Sequence, residues 1–104
     1  MKKFCKFGKL QATSGNGEKL LKILLKASEQ LKTVDSCFCY IVGMNEDEPD
    51  AVYVYEVWED KEAHADSLKL DIVKELIKEA GPILAPSKSA NFPDLTILGG
   101  KASL

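Results

Sequence analysis

Ala51-Val52-Tyr53-Val54-Tyr55-Glu56-Val57-Trp58 reads as a β-strand, because β-branched and aromatic residues alternate along it with no glycine or proline to break the run. Period-two geometry sends Val52, Val54, Glu56 and Trp58 to one face and Ala51, Tyr53, Tyr55 and Val57 to the other. Both faces are largely apolar, so a sheet holding this strand needs cover on both sides. Alternation by itself leaves open which face meets helices. Upstream, Cys37 to Gly43 reads as an antiparallel partner, joined through an acidic turn that contains Pro49.

Working outward, Lys3 to Thr13 carries Phe4, Cys5, Phe7 and Leu10 and closes at Ser14-Gly15-Asn16-Gly17, which is a strand followed by a helix start. Asn16 is placed to cap that helix. From Gly17 to Lys32, Leu20, Leu24, Ala27 and Leu31 recur at helical spacing while Lys22, Lys26, Glu29 and Gln30 hold the opposite side. Downstream, Asp60 caps a second helix over Lys61 to Lys69, and Asp71 restarts a third through Val73, Leu76, Ile77 and Ala80, stopped by Gly81-Pro82. Ala85 to Ala90 has loop composition, and Phe92 to Leu98 reads as a last strand ended by Gly99-Gly100. The order of strand, helix, strand, strand, helices and strand is the ferredoxin-like split β-α-β, an α+β fold in which an antiparallel sheet carries helices on one face. The other face would be an exposed apolar patch in a monomer, so a homodimer is expected.

The 104 residues predict one domain spanning 1–104. A net charge of -2 supplies no positive field for a nucleic-acid backbone or an anionic membrane, so neither is expected as a partner. Lys2, Lys3, Lys6 and Lys9 read as solvated strand edges. Glu46, Asp47, Glu48 and Asp50 read as a solvated turn beside Pro49 rather than as a cation site. The apolar runs fall far short of the roughly 20 residues of a bilayer span, and Met1-Lys2-Lys3 is not followed by a signal-peptide stretch, so a cytoplasmic location is expected. Cys5, Cys37 and Cys39 lack metal-ligand spacing; Cys37 and Cys39, two apart, are expected on one side of a strand as buried reduced thiols.

Glu56-Val57-Trp58, followed after four residues by Ala63-His64 and then by Ser67-Leu68, resembles the antibiotic biosynthesis monooxygenase (ABM) domain family. The strand-turn-helix opening, the hairpin ending in Glu56-Val57-Trp58-Glu59-Asp60, the helix pair and the late Gly99-Gly100 are similar to its quinol monooxygenase branch, over nearly the whole chain. The resemblance implies a dimeric α+β barrel with the last strand reaching across to the partner and a pocket between each sheet and its helices. It also implies oxidation of a quinol or related small aromatic substrate by molecular oxygen with no metal, flavin or haem cofactor. Other members degrade haem or isomerise small phosphorylated sugars. Aligned without gaps from Trp58, the helix histidine that many members carry falls on Ser67, and His64 stands one turn earlier, as in the branch with an A-H-x-x-S-L pattern. The positions used by haem-degrading members fall on Ser67, Ile77 and the neighbourhood of Lys6, none of which matches, so haem degradation is not expected.

Quinol oxygenation of this kind needs an apolar pocket for a flat ring, a group to handle the phenolic proton, and donors for the reduced oxygen species. His64 is the one side chain whose ordinary pKa lies near neutrality, and Ser67 at i+3 shares its helix face. His64 and Trp58 are therefore assigned as catalytic, with Ser67, Tyr40 and Glu56 as substrate-binding. Each has a plainer reading beside it. His64 can pair with Asp60 at i-4; Trp58 can be core; Glu56 can be a dimer or helix-cap contact; Tyr40, Tyr53 and Tyr55 can be strand packing. At the level of function, the alternatives are a non-catalytic dimeric small-molecule-binding module and an isomerase of the same fold.

Overall fold

The computed structural model describes residues 2–102. Strand β1 (Lys3–Gln11) leads to helix α1 (Gly17–Leu31), then to the hairpin of β2 (Cys37–Gly43) and β3 (Ala51–Trp58), then to helices α2 (Lys61–Ser67) and α3 (Asp71–Ala80). Short 3₁₀ turns at Gly81–Ile83 and Pro86–Lys88 precede β4 (Ala90–Asn91) and β5 (Leu95–Ile97). All pairings are antiparallel, in the order β2-β3-β1-β4, with β5 also on the outer edge of β1. This is the α+β, ferredoxin-like split β-α-β expected from the sequence.

Val52, Val54 and Trp58 lie under the helices. Leu20, Ile23 and Leu24 of α1, with Ala80 and Ile83, close over Val52 and Val54, while Leu31 and Val73 close over Trp58. Tyr53, Tyr55 and Val57 therefore line the face without helices, where Phe7 contacts both tyrosine rings. Cross-strand register carries the partition through the sheet, so Phe4 and Lys6 of β1 and Tyr40 and Val42 of β2 share the helix-covered side with Glu56.

Four local expectations are corrected. Asn16 holds the position before α1, but its amide donates to Thr13 Oγ1, and the Asp50 carboxylate of the β2–β3 turn accepts from the N–H groups of Gly15 and Gly17 instead. That turn lies so close that a Cβ on Gly17 would collide with the backbone of Pro49 and Asp50, which explains the glycine. Second, Cys37 and Cys39 do not share a side. A bulge at Phe38 pairs Cys37 with Trp58 and Cys39 with Val57, and the extra residue flips the alternation. Third, the last strand is not continuous from Phe92 to Leu98. β4 and β5 are separated by Phe92-Pro93-Asp94, because Pro93 has no N–H to give to the ladder. Fourth, the segment from Ala85 to Ala90 is not all loop, since it holds the Pro86–Lys88 turn and the start of β4. Asp60 does cap α2, its Oδ1 accepting from the N–H of Ala63 at 2.7 Å.

Among the described residues no helix is long and apolar enough to cross a membrane, and no group of three or more His, Cys, Asp or Glu side chains could hold a metal ion. The acidic turn is structural: Glu48 accepts from Tyr53 Oη at 2.6 Å and pairs with Lys9 at 3.2 Å, and Asp50 caps α1.

Candidate active site

The helices do not cover the sheet evenly. After Ser67 the chain turns through Leu68 and Lys69, and Leu70 adopts extended backbone before α3 starts. This break lets α3 run back over α1, and it leaves a cavity of about 160 Å³ beside the end of β3. Tyr40, Glu56, Trp58, His64 and Ser67 all line it, with Leu31, Leu68, Val73, Leu76 and Ile77 as apolar walls. The five residues singled out from the sequence are thus brought together, three from the sheet and two from α2. Lys6, the cross-strand neighbour of Glu56, was passed over as a strand edge, yet it stands on the same face. Period-two counting along β1 was the signal that could have placed it there.

His64 is held with its ring between Phe4 and Trp58, each 5.7 Å away between centroids. It does not pair with the Asp60 side chain, which is occupied by the helix N-terminus; its Nε2 lies 3.8 Å from Glu56 Oε1. Burial lowers the His64 pKa from its ordinary value, aided by the nearby Lys6 cation and opposed by Asp94. Burial raises the Glu56 carboxyl, against the Trp58 hydrogen bond and Lys6, both of which favour the anion. Each group is biased toward its neutral form, so their contact is not a strong ion pair.

Trp58 is buried, as the core reading holds, and its indole N–H donates to Glu56 Oε1 at 3.0 Å. That donor is engaged within the protein. Trp58 therefore walls the cavity and holds a carboxylate. Among the described residues Glu56 caps no helix; it lies on the helix-covered face against Trp58 and His64. The Ser67 hydroxyl lines the cavity and donates to the backbone carbonyl of His64. Burial, with Glu56 and then Cys37 nearby, pushes the Tyr40 hydroxyl well up, so it stays a neutral donor. Tyr53 and Tyr55 lie on the other face and take no part. Cys37 is pushed up to about 11, chiefly by burial, and Cys39 is also raised by burial. Neither thiol has the depressed pKa that nucleophilic chemistry requires.

The arrangement is a small, mostly apolar chamber whose lining includes a carboxyl, an imidazole and a phenol. Comparison with solved structures agrees with the architecture. A protein from Chloroflexus aurantiacus named as a candidate antibiotic biosynthesis monooxygenase is 28% identical, with a TM-score of 0.78 over 96% of this chain and 97% of its own. One from Caulobacter crescentus with the same description is 16% identical, with a TM-score of 0.81 over 93% of this chain and 91% of its own. A Bacteroides thetaiotaomicron protein of unknown function, described as a possible oxidoreductase, is 11% identical with a TM-score of 0.79 over 92% and 98%. The last two speak to fold alone. No curated protein matches the sequence significantly. The family model for antibiotic biosynthesis monooxygenases matches residues 4–79, which contain β1 through nearly all of α3 and every residue of the cavity. This chain belongs to the antibiotic biosynthesis monooxygenase family.

Proposed function

We propose that the protein is a cofactor-independent monooxygenase of the cytoplasm that oxidises a single-ring quinol or related phenol with molecular oxygen. The convergence of Tyr40, Glu56, His64 and Ser67 on one apolar cavity carries this reading. Size bears on the substrate. A cavity of about 160 Å³ compares with the roughly 150 Å³ engineered cavity that accepts benzene, so it has room for one ring. For a quinol the overall change adds one atom of O₂ to the ring to give a hydroxyquinone, and the other leaves as water. His64 is placed at the ring hydroxyl, Trp58 shapes the chamber, and Tyr40 and Ser67 bind the substrate's oxygen atoms.

Oxygen uptake by purified, metal-free protein is expected with substituted hydroquinones. No turnover above that of His64→Ala would sink the enzyme reading. We further propose a homodimer formed through the face that carries Phe7, Ile41, Tyr53 and Tyr55, since helices cover only the opposite side. Sedimentation at micromolar concentration is expected to give a dimer, and a stable monomer would refute it.

One observation favours a non-catalytic binding module instead. The Trp58 N–H and the Ser67 O–H both donate within the protein, which leaves few donors for a reduced oxygen species. Thermal stabilisation by a phenol without product formation would select that reading.

A further inference from the structure

The two oxygens of Glu56 are not equivalent. Oε1 accepts the Trp58 indole N–H at 3.0 Å. Oε2 has no hydrogen-bond partner among the described residues, and no fully buried side-chain oxygen there goes without one, so Oε2 is accessible; Glu56 borders both this cavity and a smaller one beside Lys6, Phe7 and Asn91. The side chain as a whole is only 19% exposed. A carboxylate in such a place is a stronger base than one in water, because every proton it takes relieves the cost of a poorly solvated charge.

We propose that Glu56 is a catalytic residue of this site: its Oε2 takes the proton of the substrate's ring hydroxyl, with Trp58 as the residue that positions the carboxylate and His64 as a hydrogen-bond donor to the ring oxygen left behind. The assignment rests on the reading of the cavity as a site for an aromatic hydroxyl. In the step, the substrate O–H bond breaks, an O–H bond forms on Oε2, and the electron pair stays on the ring oxygen. The net charge of the site is unchanged, which matters where solvation is poor. His64 suits the donor role because a buried imidazole that resists protonation still carries one N–H, and Phe4 and Trp58 fix its ring. With Nε2 3.8 Å from Oε1, a ring oxygen hydrogen-bonded to His64 comes up beside the Glu56 carboxylate.

The charged and titratable groups facing Glu56 are few. Lys6 comes from β1, Tyr40 and Cys37 from β2 and His64 from α2, with Asp94 paired to Lys6 at 2.9 Å; the cavity walls from α1 and α3 are Leu31, Val73, Leu76 and Ile77. Lys6 favours the carboxylate, and Asp94 partly offsets it. Tyr40 and Cys37 stay protonated, so the acid side of a pH profile is shared by Glu56 and His64.

The test uses 4-nitrophenol, whose phenolate is yellow, bound anaerobically so that oxidation plays no part. Wild type is expected to generate bound phenolate at a pH where free probe is mostly protonated. Glu56→Gln retains an oxygen for the Trp58 N–H and should bind the probe with a Kd within about threefold but leave it colourless. Glu56→Asp, with a shorter carboxylate, should recover part of the colour. In oxygen uptake, Glu56→Gln should lower kcat by about 10²-fold with little change in KM, and the acid limb should lose the Glu56 ionisation and keep that of His64. Ionisation by Glu56→Gln equal to wild type, or ionisation lost only in His64→Gln, would overturn the assignment while leaving the cavity reading intact. If wild type binds no probe, the aromatic reading falls and this proposal with it.

Discussion

Val52 and Val54 occupy the same face of the same strand as Glu56 and Trp58, yet the two halves of that face are finished differently. At the first, Leu20 and Leu24, 0% and 1% exposed, close directly onto the valines, with Ala80 and Ile83 filling the flank. At the second, a seven-residue helix and a break at Leu70 replace continuous cover, and polar side chains face the gap. Where two long helices and a sheet meet, apolar side chains can interdigitate to crystal-like density. Where the second helix ends after two turns, the sheet stays partly uncovered, and that is where titratable groups can be kept poorly solvated without being sealed off.

The contrast can be broken at its tight end with the largest effect. Leu24→Ala should cost about 2–5 kcal/mol in urea unfolding, as expected for a buried leucine whose neighbours cannot collapse fully. Leu68→Ala, at the rim and 51% exposed, should stay within about 0.5 kcal/mol. If the two cost the same, the ends do not differ as described. Ile77→Trp, on the exposed rim of the cavity, should place an indole over its mouth and weaken binding of a single-ring phenol by about tenfold, read by calorimetry, at nearly unchanged stability. That outcome would separate the gap from the core around it.

The smallest effect is in pH. Glu56 has a folded-state pKa raised above its unfolded value, so the folded protein holds this proton longer than the unfolded chain does. Its contribution to stability is fully present below the ordinary carboxylate value, about 4.3, and is lost as pH rises through the raised one. Glu56→Gln removes that loss, and its Tm should rise relative to wild type as pH increases across this window. A Tm difference that is flat with pH would remove Glu56 from the list of strained groups. His64 works in the opposite sense, since its lowered pKa makes the folded state less stable as pH falls below the ordinary histidine value. It belongs to both proteins in the comparison and largely cancels.

Much of the site was legible because the relevant spacings are local. Tyr40 and Glu56 lie on neighbouring strands, Trp58 is two residues beyond Glu56 on the same face, and His64 and Ser67 are three apart on one helix. What these residues do to one another was not legible. The contacts of Glu56 with the Trp58 indole and the His64 ring depend on the direction in which α2 leaves β3. The expected pairing of His64 with Asp60 failed because the Asp60 carboxylate is engaged by the backbone at the start of the helix, where four N–H groups lack intrahelical partners.

The sequence by itself determined the order and kind of the elements, the partition of β3 into two apolar faces, the Asp60 cap and the family. Each of these follows from periodicity or from contacts within a few residues. Only the tertiary structure decided which face the helices cover, that a cavity remains at the Trp58 end, that Asp50 rather than Asn16 caps α1, and that a bulge turns Cys37 away from Cys39. Those outcomes depend on where distant segments meet, and a local pattern is compatible with more than one such meeting.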